Sequence, residues 1–102
     1  LARRTAMLIA RVVGSAVSTA KDEGLRGAKL LVVQPASVTD ELHGEPLVAV
    51  DTVGAGEGEL VLVAQGSAAR RTRTTEGTPT DAAIVGILDS LELDGEDRFR
   101  KS

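Results

Sequence analysis

A chain of 102 residues is one domain, long enough for a single core. Its aromatic content is one residue, Phe99, and the absence of Cys excludes a disulfide framework, a thiolate nucleophile and a Cys-based metal site. A formal net charge of −3 argues against a nucleic-acid partner, and the purely apolar runs are too short to cross a bilayer.

The first six residues, Leu1 to Ala6, are basic and read as an extension or a leftover ahead of the domain, because Met7-Leu8-Ile9-Ala10 is a more natural start. Met7 to Val17 is the first predicted strand, with Gly14 as a bulge or bend. Turn chemistry at Lys21-Asp22-Glu23-Gly24 and Arg26-Gly27 leads to a second strand, Lys29 to Gln34, which Pro35 should stop. Asp40 to Gly44 turns the chain again. A third strand, Leu47 to Asp51, opens after Pro46, and a fourth spans Leu60 to Gln65.

Between the third and fourth strands lies the glycine-dense segment Asp51-Thr52-Val53-Gly54-Ala55-Gly56-Glu57-Gly58-Glu59. It resembles a phosphate cradle only superficially. A dinucleotide fingerprint needs a third glycine at its sixth position and a following helix; Glu59 stands there, and the next residues are strand formers. Glu57 and Glu59 would also repel phosphate, and the lysine and hydroxyl of a Walker loop are missing. Two readings remain for these glycines. One is a bulged connection using positive φ angles; the other is close approach of backbones, within the chain or around a symmetry axis.

After the fourth strand, Gly66 to Arg71 can form a short helix with Ser67 as N-cap, and Thr72 to Thr80 reads as a solvent-facing loop. The fifth strand, Ala82 to Leu88, is continuously apolar and should be buried on both faces. From Asp89 the chain turns polar, and residues 91–102 read as a C-terminal extension. The predicted fold is all-β, a small five-stranded OB-like barrel with a short helix between strands four and five. That helix placement differs from the usual OB arrangement, where it lies between strands three and four. A core of Val, Leu, Ile and Ala suits a thin barrel that draws part of its stability from neighbouring subunits.

Little catalytic chemistry is available. His43 is the sole histidine, in Glu41-Leu42-His43-Gly44-Glu45, where a metal site would need both glutamates from an unconstrained turn. A solvated turn histidine is the simpler reading. Gly66-Ser67 lacks the nucleophile elbow, since the hydroxyl is needed for capping. Asp51 and Asp81 could form a carboxylate pair, but turn and cap roles explain each more simply. Arg70, Arg71 and Arg73 form a basic cluster suited to contacts with a partner or a neighbouring subunit. No stacking aromatics accompany it, which disfavours single-stranded nucleic acid. The expected inventory is no catalytic residue, no cofactor and no metal.

Several segments together resemble the EutN/CcmL family of bacterial microcompartment vertex proteins. They are Ala10-Arg11-Val12-Val13-Gly14, Val17-Ser18-Thr19 with Lys21, and Leu25 through Pro35. Val48 through Glu59, Gly66-Ser67-Ala68-Ala69-Arg70 and Asp81 through Asp89 follow in order. The match covers roughly Met7 to Ser90, and Asp-Thr-Val-Gly-Ala-Gly-Glu-Gly is its most specific part. The resemblance implies a domain over residues 7–90 that is a non-enzymatic shell protein, forming homopentamers at the five-fold vertices of a polyhedral shell in the bacterial cytoplasm. It implies hexameric and trimeric shell proteins as partners, and neither nucleic acid nor membrane. It also favours the second reading of the glycine loop, with Gly54, Ala55, Gly56, Glu57 and Gly58 near the five-fold axis. Arg70, Arg71 and Arg73 become candidate rim contacts. The alternative class is a barrel-type binding module for a nucleotide or oligosaccharide.

Overall fold

The computed structural model describes residues 6–17, 29–66 and 81–100. Within them the chain forms β1 (Ala6–Ala16), β2 (Leu30–Ala36), β3 (Leu47–Asp51), β4 (Leu60–Gln65), β5 (Ala82–Ile87), β6 (Ser90–Leu93) and β7 (Glu96–Arg100). The first five close into a barrel in the order β1-β2-β3-β5-β4. All neighbours are antiparallel except β3 and β5, which run parallel with Val50 opposite Ala83 and Asp51 opposite Ile84.

The long β1 makes closure possible. Its first half pairs with β4, from Ala6–Gln65 to Arg11–Leu60, and from Ile9 onward it pairs with β2. Ile9, Ala10 and Arg11 therefore have strand partners on both sides, and no edge strand is left open there. The predicted irregularity at Gly14 is present: the register shifts between Val12 and Gly14 and leaves Val13 without a partner on β2. A Cβ on Gly14 would meet the Val32 side chain at 3.9 Å, an ordinary contact, so close packing does not require the glycine there.

Inward-facing residues are small and branched. Ala10, Val12, Leu31, Val33, Ala49, Val61, Val63, Ala82 and Ile84 form one cluster, and Ala55 from the glycine loop joins it. This is the aliphatic core that the composition requires.

Strand β1 is displaced by one residue from the expected Met7 to Val17 and β2 begins at Leu30 rather than Lys29, while two strand ends differ more informatively. Strand β2 runs through Pro35 to Ala36. Pairing with β3 ends at Val33–Leu47, and beyond that point the outer edge of β2 meets only the following turn, through an isolated Ala36–Leu42 bridge, so the missing proline N–H costs no bond to β3. The Pro35 carbonyl is still used, accepting the His43 N–H at 2.9 Å. Strand β5 stops one residue early at Ile87, although the Leu88 N–H still reaches the Leu60 carbonyl at 2.9 Å. Its expected two-sided burial holds for Ala82, Ala83 and Ile84 and lapses to half-burial from Val85 onward. The predicted helix at Gly66 to Arg71 lies, except for Gly66, outside the described residues, as does the loop from Thr72 to Thr80.

The polar C-terminal extension carries regular structure that the sequence reading did not assign. Residues 90–100 form an antiparallel hairpin, β6–β7, with Leu91 opposite Phe99 and Leu93 opposite Glu96. Its turn is Asp94-Gly95, with φ of 55° and 80°. Asp-Gly accepts two successive left-handed residues, and that matches the twist of a two-residue hairpin. Charge made this segment look like a tail, while the turn dipeptide between Leu93 and the downstream Phe99 made it a hairpin.

Candidate functional site

The glycine loop is folded around one buried carboxylate. Asp51 closes β3, and its side chain is 1% exposed. Its Oδ1 accepts the backbone N–H groups of Val53 at 3.0 Å, Gly54 at 3.1 Å and Ala55 at 3.2 Å, while Oδ2 takes the Ala55 N–H at 3.0 Å. This is an Asx-type turn extended by two residues, in which the carboxylate replaces the strand partners the chain has just left. The Lys29 ammonium lies 3.4 Å from Oδ2 and donates to the Ala55 carbonyl at 3.0 Å. A buried charge without such partners would oppose folding, whereas here the amides and an ammonium surround it.

The second half of the loop is tied to β1. The Gly58 N–H donates to the Val12 carbonyl at 2.8 Å, and the Val12 N–H to the Glu59 carbonyl at 2.9 Å. Glu59 also reaches back, its Oε1 accepting the Gly56 N–H at 2.7 Å. Arg11 donates from one guanidinium nitrogen to the Gly58 carbonyl at 2.7 Å and from the other to Asp40. At the loop's start, the Thr52 hydroxyl donates to the Ile84 carbonyl at 2.7 Å. Ala55 is buried beneath the loop, while Gly54, Gly56, Glu57 and Gly58 face outward.

The glycines are not equivalent. Gly54 and Gly58 have φ of 76° and 90°, so each occupies a conformation that a side chain would strain. Gly56 has no positive φ, and a Cβ there would lie 3.7 Å from Glu59 Oε1, an ordinary contact. The turn geometry accounts for Gly54 and Gly58. It gives no reason within the chain for Gly56.

Asp51 caps a turn, as its sequence position suggests, and does not share a site with Asp81. The parallel register sets Asp51 opposite Ile84. Asp81 precedes Ile84 by three residues, about 10 Å along a strand. His43 is exposed in its turn, where its carbonyl and that of Gly44 accept the Gln34 side-chain amide at 2.7 and 2.6 Å. Among the described residues no group of three or more His, Cys, Asp or Glu side chains is placed to hold a metal ion. Arg70, Arg71 and Arg73 lie outside the described residues.

Sequence reasoning missed three contributors: Lys29, Glu59 as a loop staple, and Arg11. Glu59 was considered only as a charge hostile to phosphate, though an acid three residues after a turn amide is placed to accept it. Arg11 gave no local signal, because its partners are distant in sequence.

The carboxylate at position 51 should dominate local stability. Asp51→Ala strands the turn amides in a buried site, so a loss of about 2–4 kcal/mol is expected, with Asp51→Asn losing less because one acceptor oxygen remains. Urea or thermal unfolding measures this; an Asp51→Ala protein as stable as the parent would show that the amides find other acceptors.

Comparison with known proteins places this geometry. The family model described as "Ethanolamine utilisation protein EutN/carboxysome" matches residues 7–89. The microcompartment shell vertex protein GrpN of Rhodospirillum rubrum is 49% identical over 88 residues, covering 84% of this chain and 97% of its own. The carboxysome shell vertex protein CcmL of Thermosynechococcus vestitus is 47% identical, covering 86% and 89%. Among solved structures, a carboxysome CcmL subunit superposes with a TM-score of 0.87 at 42% identity over 93% of this chain and 99% of that one. The Rhodospirillum rubrum GrpN structure, described as a pentameric microcompartment shell protein, gives 0.77 at 45% identity over 84% and 98%. These names describe structural shell proteins, not enzymes. With the whole barrel matched from Met7 to Asp89, the chain belongs to the EutN/CcmL family.

Proposed function

We propose that this chain is a structural vertex subunit, whose pentamer closes the corners of a bacterial microcompartment shell in the cytoplasm. The observation that carries the reading is the likeness to GrpN, a pentameric shell protein 45% identical over nearly its whole length. The role is geometric rather than chemical. A flat sheet of six-fold units cannot close on itself, and five-fold units at the corners supply the missing curvature. The partners along its outer edges are then hexameric and trimeric shell proteins. The alternative, a barrel-type binding module for a nucleotide or oligosaccharide, has no comparable support among the relatives.

Cyclic assembly makes the contacts heterologous, so one surface of the barrel meets a different surface of the next copy. The glycine loop is the part we place near the axis. Gly54, Ala55, Gly56, Glu57 and Gly58 form a short, rigid promontory held from below by Asp51, and Gly56 is a glycine for which the isolated chain has no use. Close approach of a neighbouring backbone supplies the missing reason. Arg70, Arg71 and Arg73 are assigned to the rim, where a basic cluster can meet acidic edges of neighbouring shell units.

Three outcomes test this. Native mass spectrometry should show a five-subunit species, and a clean monomer at micromolar concentration would sink the proposal. Gly56→Val should weaken the pentamer while a monomeric fraction keeps its fold; unchanged mass together with unchanged melting returns the loop to an ordinary turn. Charge reversal at Arg71 and Arg73 should leave the pentamer intact and reduce its incorporation into co-expressed shells. Normal incorporation would move the contact surface elsewhere.

A further inference from the structure

The hairpin β6–β7 is a separate two-stranded sheet, not a continuation of the barrel. Two strands alone are marginal in water, so what holds this hairpin matters. One contact stands out. The Arg11 guanidinium lies over the Phe99 ring, 5.8 Å from its centroid. That same guanidinium donates to the Gly58 carbonyl and to Asp40. Its edge is fixed by the glycine loop and the turn after β2, and its face is covered by the hairpin.

We infer that Arg11 is a positioning residue that couples the C-terminal hairpin to the glycine loop. Three features make it suited to this. It sits on β1 within the stretch paired on both edges, so its backbone is among the least free to move. Its side chain is only 26% exposed, which strengthens both the ion pair with Asp40 and the attraction to the ring quadrupole. Its planar fork can satisfy two acceptors in the plane and leave the face for an aromatic ring, which a lysine ammonium cannot do. Undocking the hairpin removes the cover from the guanidinium, wets its hydrogen bond to Gly58 and loosens the loop where Gly58 meets Val12. Phe99, the chain's one aromatic residue, is thereby accounted for as the hairpin's anchor.

This coupling lies within one subunit and goes beyond the vertex role, which needs only that the loop be rigid. The test is amide exchange at Gly58, whose N–H bonds to the Val12 carbonyl at 2.8 Å, followed by NMR in the full chain. Phe99→Ala should speed exchange at Gly58 roughly two- to fivefold, the worth of an exposed cation–π contact, while Val63 in β4 stays unchanged. Phe99→Tyr should restore the parent rate. Arg11→Met should speed exchange at Gly58 further, and adding Phe99→Ala to it should change nothing more, because the path runs through the guanidinium. An unchanged Gly58 rate in Phe99→Ala overturns the inference, as does an equal rise at Val63 or strict additivity of the two substitutions. Native mass, read on the same samples, judges the ring separately. A monomer in which Phe99→Ala loosens Gly58 still supports the coupling, and a pentamer in which it does not overturns it.

Discussion

The buried Asp51 carboxylate is the interaction on which the outer structure depends. A strand that leaves a barrel abandons its hydrogen-bond partners, and a loop rich in glycine has the greatest entropy to lose. Asp51 answers both problems at one point, collecting the amides of Val53, Gly54 and Ala55 as soon as β3 ends. The pull drives Ala55 down into the core cluster, so the loop acquires an apolar anchor as well as a polar one. Flexible composition is thus turned into a fixed shape. That fixity is what a loop needs if it is to present backbone to a neighbour without paying the ordering entropy at assembly.

The core explains why such local fixing matters. Its largest fully buried side chains are Leu60 and Ile84, and apart from Leu31 the other buried apolar side chains are valines and alanines. Each contributes less burial than an aromatic would, so the barrel has modest reserves and relies on closure to remove its edges. The long β1 serves two partners, its doubly paired stretch Ile9–Arg11 lying just ahead of the bulge at Gly14. A thin barrel with Met7 and Val48 left 60% and 50% exposed on its wall is one that gains by having neighbours.

Much of this was legible in the sequence, for identifiable reasons. Strands β3 and β4 have the predicted bounds because Pro46 and the glycine loop punctuate them on either side. Pro35 misled because proline reports a missing donor, and only the pairing of β2 reveals whether that donor had anywhere to go. The C-terminal hairpin was overlooked because its charges outweighed one Asp-Gly pair, although that pair fixes the turn through two positive φ angles. For the loop, the capping role of Asp51 followed from its place after a strand, while the contributions of Lys29 and Arg11 depend on long-range closure that no local pattern encodes. Neither Arg70, Arg71 nor Arg73 lies within the described residues, so their assignment to the rim continues to rest on charge and family resemblance.

The glycines then separate what a chain requires for itself from what it requires for company. Gly54 and Gly58 are explained inside one subunit: their dihedral angles exclude a side chain whether or not a second copy is present. Gly56 differs in kind. Its backbone is ordinary, its Cβ would have room, and its N–H is already satisfied by Glu59. A residue that costs unfolded-state entropy and returns nothing to its own fold is what the proposed close approach of a neighbouring backbone would explain. In the proposed pentamer, the face of the loop offered to a neighbour is then the side away from Asp51, where Gly56 and Glu57 are exposed. The Asp51 carboxylate that shapes the loop is already buried within the single chain, so the proposed contact would leave its hydrogen bonds in place.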